Sequence, residues 1–466
     1  MRGGSEMFTR LRCALALLLA LATAPTATAA DGWSEASPQP DDGDPSARQR
    51  VTLDADLLTL GLLFNDDDFD RSEPAYNRDR QHVGAVGTLL RPGITFHVLP
   101  NLRIRYQAEV GLNVWSRNNA DQLDPTAADV FLLLHRQVFA EGDSPCGAVG
   151  FKAGFDRWTD PTSLMMAHWT GAARFHARWG NGGLRLTAGL LPDATYEGWD
   201  IVDNNFTHDT FFGSLGLSAG TPDQPVYFDG GAQLLADGAE PMRTLVLVAP
   251  YAHLGLRSDR VHIQFDLVSQ LGSHTDATGD GRRQRQLAFA AQLHGDEQLG
   301  PVTLNWNVLM LSPDDAEEGN NVNHGFRYSG LSRSRTLWLS ENELFDTWNN
   351  LDQQIGTLEN SHFLTRMGLL QVDLRLAYRI QDVFEPAFIV GVAGALAPAN
   401  ALGKSSVGVE ADLDLGFHHP DGVLDLHAIA SVLVPGGAAA AAVNQIDRDA
   451  TDVQFGGMVL LDVRFR

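Results

Sequence analysis

The last fifteen residues, Asp452-Val453-Gln454-Phe455-Gly456-Gly457-Met458-Val459-Leu460-Leu461-Asp462-Val463-Arg464-Phe465-Arg466, carry the reading of the fold. Val453, Phe455, Val459, Leu461, Val463 and Phe465 fall on one face of an extended strand. Gln454, Asp462, Arg464 and Arg466 fall on the other. Side chains alternate along a strand with a period of two, so a segment of this kind separates an apolar medium from a polar one. The pattern returns through the chain in segments of about ten to fifteen residues. In 102–114, Leu102, Ile104, Tyr106, Ala108, Val110, Leu112 and Val114 oppose Arg103, Arg105, Gln107, Glu109 and Asn113. In 260–267, Val261, Ile263, Phe265 and Leu267 oppose Arg260, His262, Gln264 and Asp266. In 370–379, Leu370, Val372, Leu374, Leu376 and Tyr378 oppose Gln371, Asp373, Arg375 and Arg379.

The other end of the chain supplies the address. Arg2, Arg10 and Arg12 precede an apolar run over 13–22, and small residues follow to Ala30. Ala27-Thr28-Ala29 has the form of a signal-peptidase site, which predicts a signal peptide over 1–30. Cys13 lies before the apolar run, which argues against a lipid anchor. The run is shorter than the roughly 18–20 apolar residues of a membrane helix. An exported chain of apolar-out, polar-in strands predicts an all-β transmembrane antiparallel barrel, lipid outside and water inside.

Strands are expected at 51–63, 84–98, 101–116, 128–140, 146–157, 166–179, 183–192, 243–256, 260–272, 284–294, 300–311, 367–380, 384–397, 405–418, 422–434 and 451–466. That makes sixteen, with short turns such as Leu99-Pro100, Gly180-Asn181-Gly182, Gly295 to Leu299 and His419-Pro420-Asp421 alternating with long connections. Asn-Gly and Pro-Asp-Gly are hairpin chemistry. The connections 193–242 and 312–366 are long enough to hide a further hairpin, for example Phe211 to Ala219 with Val226 to Leu235, so eighteen strands is the alternative. The Pro-, Asp- and Ser-rich segment 31–50 reads as a disordered periplasmic linker, and 51–466 as one barrel. Trp115, Trp169, Trp179, Tyr251, Tyr378 and Phe465 fall near expected strand ends, where aromatic girdles meet the membrane interface.

The chain carries 34 basic and 58 acidic residues, a net charge of −24, which excludes nucleic acid as a partner. Of its two cysteines only Cys146 follows the leader, so the mature chain forms no internal disulfide. No nucleotide loop, paired-His zinc motif or cysteine pair is present, and neither a cofactor nor a metal centre is expected. Asp276-Ala277-Thr278-Gly279-Asp280-Gly281 resembles the start of a calcium loop, but its twelfth position is Leu287. The acidic runs Asp66-Asp67-Asp68-Phe69-Asp70 and Asp314-Asp315-Ala316-Glu317-Glu318 read as solvated loops. His168, His176, His262, His294, His418 and His427 sit on expected strands, but nothing in the sequence fixes a Ser-His or Asp-His pair, and no enzyme is expected.

Parity turns a set of charges inward. The expected pore-lining residues are Arg91, Arg103, Arg105, Glu109, Arg174, Arg178, Arg185, Arg260, Asp266, Asp373, Arg375, Arg379, Glu410, Asp412 and Asp414. Arginines outnumber acids in the first half and acids prevail in the last strands. Two outcomes follow: facing arcs of opposite sign that set a field across the pore, or local cross-strand pairs that hold the wall. Ser340 and Glu343 form a capping box, and Leu344, Trp348, Leu351 and Ile355 follow at helical spacing. This predicts a short amphipathic helix in the longest connection, narrowing the pore or covering its rim.

Gly408-Val409-Glu410-Ala411-Asp412, a hairpin, Leu424 to Val434 ending in Pro435-Gly436, and the terminal strand together resemble the end of the alginate-export type of outer-membrane barrel. The resemblance covers the last sixty or so residues. It implies a large single-chain pore for anionic polysaccharide or other polar solutes, although such a pore is basic inside and this wall is mixed. The expectation is a porin-like outer-membrane channel for small polar or charged solutes, monomeric or homotrimeric. A polysaccharide export channel and a non-transport barrel are the alternatives. Outer-membrane lipid, lipopolysaccharide and the barrel-assembly machinery, through the C-terminal strand, are the expected partners.

Overall fold

A computed structural model describes residues 50–64, 83–112, 131–165, 167–191, 210–237, 245–275, 283–314, 322–326, 335–336, 367–439 and 453–465. Its strands are β1 (Val51–Phe64), β2 (Val83–Leu99), β3 (Leu102–Leu112), β4 (Phe131–Asp143), β5 (Val149–Thr159), β6 (Ala167–Trp179), β7 (Gly182–Leu191), β8 (Thr210–Ala219), β9 (Val226–Asp237), β10 (Leu245–Arg257), β11 (Val261–Thr275), β12 (Arg283–Leu299), β13 (Val302–Leu311), β14 (Val322–Asn323), β15 (Leu369–Tyr378), β16 (Phe384–Gly394), β17 (Ser406–His418), β18 (Leu424–Pro435) and β19 (Gln454–Phe465). Each pairs antiparallel with the next, β13 pairs with β15, and β19 returns to β1, which closes a ring of eighteen strands. The two-residue β14 stands outside the ring, parallel to β12 at Arg285 and Gln286.

The ring settles the strand number at eighteen rather than sixteen. The two additional strands are β8 and β9, the hairpin hidden in the first long connection. β8 reads Thr-Phe-Phe-Gly-Ser-Leu-Gly-Leu-Ser-Ala, so glycine and serine occupy much of its inner face and the hydropathy contrast between faces is weak. The stretch Gly295 to Leu299 is not a turn. β12 runs to Leu299, and the chain reverses at Gly300, whose φ of 68° glycine adopts without strain, and Pro301.

The strands obey the two-face rule. In β15, Leu370, Val372, Leu374, Leu376 and Tyr378 are each about 40% exposed or more, whereas Gln371, Asp373 and Arg375 are buried. Short turns gather at one rim, where β1 begins and β19 ends, and the long connections lie at the other. Trp179, Tyr378 and Phe465 stand on the outer face near the short-turn rim, at 48%, 48% and 53% exposure.

The interior is layered. Toward the long-loop rim, Trp158, Phe212, Leu235, Leu247, Val268, Ala290, Leu309, Leu311 and Leu369 converge with Leu164, Met165 and Phe326 in one buried cluster. The last three come from connections that fold inside the barrel. The β5–β6 connection is shaped by the Asp160 carboxylate, which accepts from the backbone N–H of Thr162 (3.0 Å) and of Met165 (3.1 Å). It carries Met165 far enough that Gln270 on β11 donates to its Sδ at 3.1 Å. The β13–β15 connection is pinned by Ser312, whose Oγ donates to His324 O at 2.6 Å and whose carbonyl accepts from Phe326 N at 3.0 Å. Burying a side chain such as Phe326 contributes about 1.5–3 kcal/mol. Beneath this cluster, toward the short-turn rim, the inner wall is polar.

Candidate functional site

The polar layer begins with a set of matched charges on β1–β5. Arg105 binds Asp54 through two parallel bonds, Nη1 to Oδ1 at 3.0 Å and Nη2 to Oδ2 at 2.8 Å. Arg91 Nε and Arg136 Nη1 both donate to Glu109 Oε2, at 3.0 and 3.1 Å. Arg103 pairs with Glu141, and Lys152 with Asp156. Gln137 joins two of these groups, accepting from Arg105 Nε at 2.7 Å and donating to Asp156 Oδ1 at 3.0 Å.

The next arc is rich in donors. The register sets Lys152 opposite Arg174, Arg174 opposite Thr187, Thr187 opposite Ser214, and Ser214 opposite Gln233. Adjacent strands are about 4.8 Å apart, so these five side chains form one continuous row along the inner wall. Arg174 donates through Nε to Thr187 Oγ1 (3.2 Å) and through Nη2 to Thr159 O (3.0 Å), and its Cζ sits 5.2 Å from the Trp158 ring centre. Among the described residues no carboxylate lies within 4.0 Å of this guanidinium. Gln233 is buried, and neither its Nε2 nor Trp158 Nε1 has a hydrogen-bond partner among the described residues. One level nearer the short-turn rim, Arg185 pairs with Asp229 (2.6 Å), which also accepts from the Tyr251 hydroxyl (3.1 Å).

The remaining wall is knit by hydrogen bonds. Tyr227 Oη lies 3.3 Å from Nε2 of both His253 and His262. His253 Nδ1 lies 2.5 Å from Asp266 Oδ1, and His294 Nε2 lies 3.7 Å from Oδ2 of the same carboxylate. Gln292 donates to Asn307 (2.7 Å), and Asn307 donates to Asp373 (2.9 Å). Arg375 Nη2 lies 2.9 Å from Glu385 and 3.7 Å from Asp414, and Arg379 binds Glu385 at 3.0 Å. Ser431 Oγ donates to Glu410 at 3.1 Å. Residues 335–336 reach this wall from above: Arg335 N donates to Asp373 (3.4 Å), and Gln371 Nε2 donates to Thr336 Oγ1 (3.4 Å).

Thirteen of the fifteen charges assigned inward by parity, Arg91, Arg103, Arg105, Glu109, Arg174, Arg178, Arg185, Asp266, Asp373, Arg375, Glu410, Asp412 and Asp414, lie on the inner faces of their strands. Arg178 is exposed near the short-turn end of β6, and Arg379 follows β15 directly at the rim. Arg260 is displaced from its expected place: β11 starts at Val261, and Arg260 is exposed in the turn before it. Tyr251 is likewise not part of an aromatic girdle. It sits in mid-strand with its side chain inside, 5% exposed. The arginines of β2 and β3 pair locally with acids, so they do not form an uncompensated basic arc. Sequence parity did not single out Lys152, Trp158 or Gln233, because a row becomes visible only when strand registers are known. Residues 344–355 of the expected loop helix, Trp115, the signal peptide and nearly all of the linker lie outside the described residues.

No protein family matches the chain by sequence, and no curated relative does. Solved structures do resemble it in fold. OccK9 (OpdG) of Pseudomonas aeruginosa aligns with a TM-score of 0.53 at 12% identity, over 89% of this chain and 98% of that one. OpdQ of the same organism gives 0.51 at 10% identity, over 89% and 97%. The P. aeruginosa outer membrane protein opdK gives 0.50 at 13% identity, over 89% and 99%. The architecture is that of a bacterial outer-membrane β-barrel, and the resemblance to alginate-export barrels finds no counterpart in the family comparison.

Proposed function

We propose that this chain is a porin-like outer-membrane channel for small polar or charged solutes, with a mixed-charge lumen narrowed by connections folded inside the barrel. The observation that carries the reading is the donor row Lys152, Arg174, Thr187, Ser214 and Gln233, set below a buried apolar cluster in a closed barrel. Hydrogen-bond donors fixed along a wall replace part of a solute's hydration shell as it passes. Arg174 brings a positive charge to that row without a carboxylate partner among the described residues. The pairing of Arg91, Arg103 and Arg105 with acids favours small solutes over the long polyanion that an export channel conducts. Assembly through the C-terminal strand, a monomeric or trimeric state and a pore-narrowing helix at 341–356 belong to the same proposal.

Single-channel recording on the refolded mature protein in a planar bilayer, under a salt gradient, tests it. The expected result is steady ohmic current with a defined reversal potential. Folded protein that conducts neither as the full chain nor after deletion of 341–356 would overturn the reading.

A further inference from the structure

One tyrosine on the inner wall reaches across a strand to two histidines. Tyr227 on β9 stands opposite Gly255 on β10, and Gly255 stands opposite Gln264 on β11. A Cβ on Gly255 would collide with the Tyr227 ring and lie 2.6 Å from its Oη. The glycine gives the ring its passage over β10. There the hydroxyl accepts from Gln264 Nε2, and it lies 3.3 Å from Nε2 of His253 and 3.3 Å from Nε2 of His262. The other ring nitrogen of His253, Nδ1, lies 2.5 Å from Asp266 Oδ1. His262, Tyr227, His253 and Asp266 thus stand in one chain across β9, β10 and β11.

Both nitrogens of His253 are committed, and that gives the chain a direction. An ionised carboxylate only accepts hydrogen bonds, so His253 Nδ1 carries a hydrogen. In the neutral ring Nε2 then holds a lone pair, and the Tyr227 O–H donates to it. In the imidazolium both nitrogens donate. Nε2–H then points at Oη, and the phenolic hydrogen has to leave His253. Where His262 Nε2 holds a lone pair, the hydroxyl turns to it at the same 3.3 Å. Where His262 Nε2 carries a hydrogen, three donors converge on one oxygen and the hydroxyl breaks from the chain. In either case one proton, taken from water onto His253 Nε2, redirects the Tyr227 hydroxyl by rotation about its C–O bond. No other bond forms or breaks.

Charged groups face this chain from each strand beside it. From β9, Asp229 stands opposite His253 and is held by Arg185 and by the Tyr251 hydroxyl. From β11, Asp266 takes His253, and its second oxygen lies 3.7 Å from His294 on β12. Near the short-turn mouth, His262 stands opposite Arg257 on β10 and Asp296 on β12. Imidazole is the side chain whose charge ordinarily changes between about pH 5 and 8. We propose that His253, coupled to Tyr227 and His262, is a proton-operated switch in the channel wall. Acidification places positive charge on this arc, releases the Tyr227 hydroxyl from His253 and moves ion selectivity toward anions. The selectivity change rests on the reading of the barrel as a conducting channel.

Reversal potentials of the full mature protein, refolded into a planar bilayer under a potassium chloride gradient, are recorded from about pH 8 to about pH 5. Heat-modifiable gel migration confirms the fold of every variant. The anion-to-cation permeability ratio is expected to rise by about twofold or more as the pH falls. His253→Gln removes about half of that rise or more, and Tyr227→Phe, which keeps the ring and loses the hydroxyl, moves the pH at which it occurs. Nitrogen-15 NMR of histidine-labelled protein in detergent follows the same event without current: His253 passes from the neutral ring, with its hydrogen on Nδ1, to the imidazolium. That titration in protein that conducts no current upholds the proton chain and overturns only the channel reading. A conducting parent whose selectivity ignores pH, a rise undiminished in His253→Gln, or a His253 ring held in one protonation state throughout overturns the switch.

Discussion

Arg105 and Asp54 are joined by two parallel hydrogen bonds although their strands are not neighbours. β2 runs between β1 and β3, and the residue of β2 opposite Asp54 is Gly93. A Cβ at Gly93 would lie 2.7 Å from Asp54 Oδ2 and 2.9 Å from Oδ1. The missing side chain is what lets the guanidinium reach over one strand to the next. Gly93→Ala should therefore push the pair apart and cost about 1.5–3 kcal/mol, the range for hydrogen bonds to charged groups. Urea unfolding in lipid vesicles measures the loss. Because the two changes act on one interaction, Gly93→Ala combined with Asp54→Ala should cost little more than either alone. Additive losses would refute the explanation.

Arg174 and Arg185 face the same lumen but differ in partnership. Arg174→Gln removes a charge held by Thr187, the Thr159 carbonyl and the Trp158 face, so ion selectivity should move toward cations with a small change in stability. Arg185→Gln strands Asp229, and the fold should lose roughly 2 kcal/mol or more. Reversal potentials and unfolding midpoints, taken together, separate the two. A selectivity unmoved by Arg174→Gln would remove it from the conduction path.

The outer face makes a prediction by depth. Leu374 lies in mid-strand and Tyr378 at the short-turn end of β15, both pointing outward. Leu374→Arg should cost about 2–4 kcal/mol in a bilayer, and Tyr378→Arg about 0–1 kcal/mol. Equal costs at the two positions would mean that this face does not cross the hydrocarbon as drawn.

Phe326 is 0% exposed inside the barrel and joins its connection to the apolar cluster. Phe326→Ala should weaken that docking by about 3–5 kcal/mol. The expected readouts are larger and noisier single-channel currents and faster hydrogen exchange at 322–326. Current traces identical to those of the parent chain would show that this segment does not constrict the path.

Strand periodicity was legible wherever the two media differ sharply. β15, with Leu370, Val372, Leu374 and Leu376 opposing Gln371, Asp373 and Arg375, needed no structure to be placed. β8 was only half legible, because Gly213, Ser214, Gly216 and Ser218 look alike whether they face lipid or lumen. The inward charges followed from parity, but their partners did not. Asp54 and Arg105 are separated by 51 positions, and His427 and Asp414 by 13. Which carboxylate meets which cation depends on register, and a one-residue slip would exchange every side chain on the strand between faces. The inward course of the β5–β6 connection was hidden for a related reason. Leu164 and Met165 are an unremarkable apolar pair until Gln270 is found across the barrel.

The pairing of β1 with β19 runs from Ala55 opposite Phe465 to Phe64 opposite Gly456, joining the two extremes of the barrel sequence. The loop that this contact closes is nearly the whole barrel sequence, so its closure costs more chain entropy than that of any hairpin in the ring. Until β19 arrives, β1 holds out a row of unsatisfied amides and carbonyls, ready to template any passing strand. Among the described residues the closed ring leaves no strand edge open, but it does so only once β19 is in place. Safekeeping of that edge is thus a requirement written into the order of the strands.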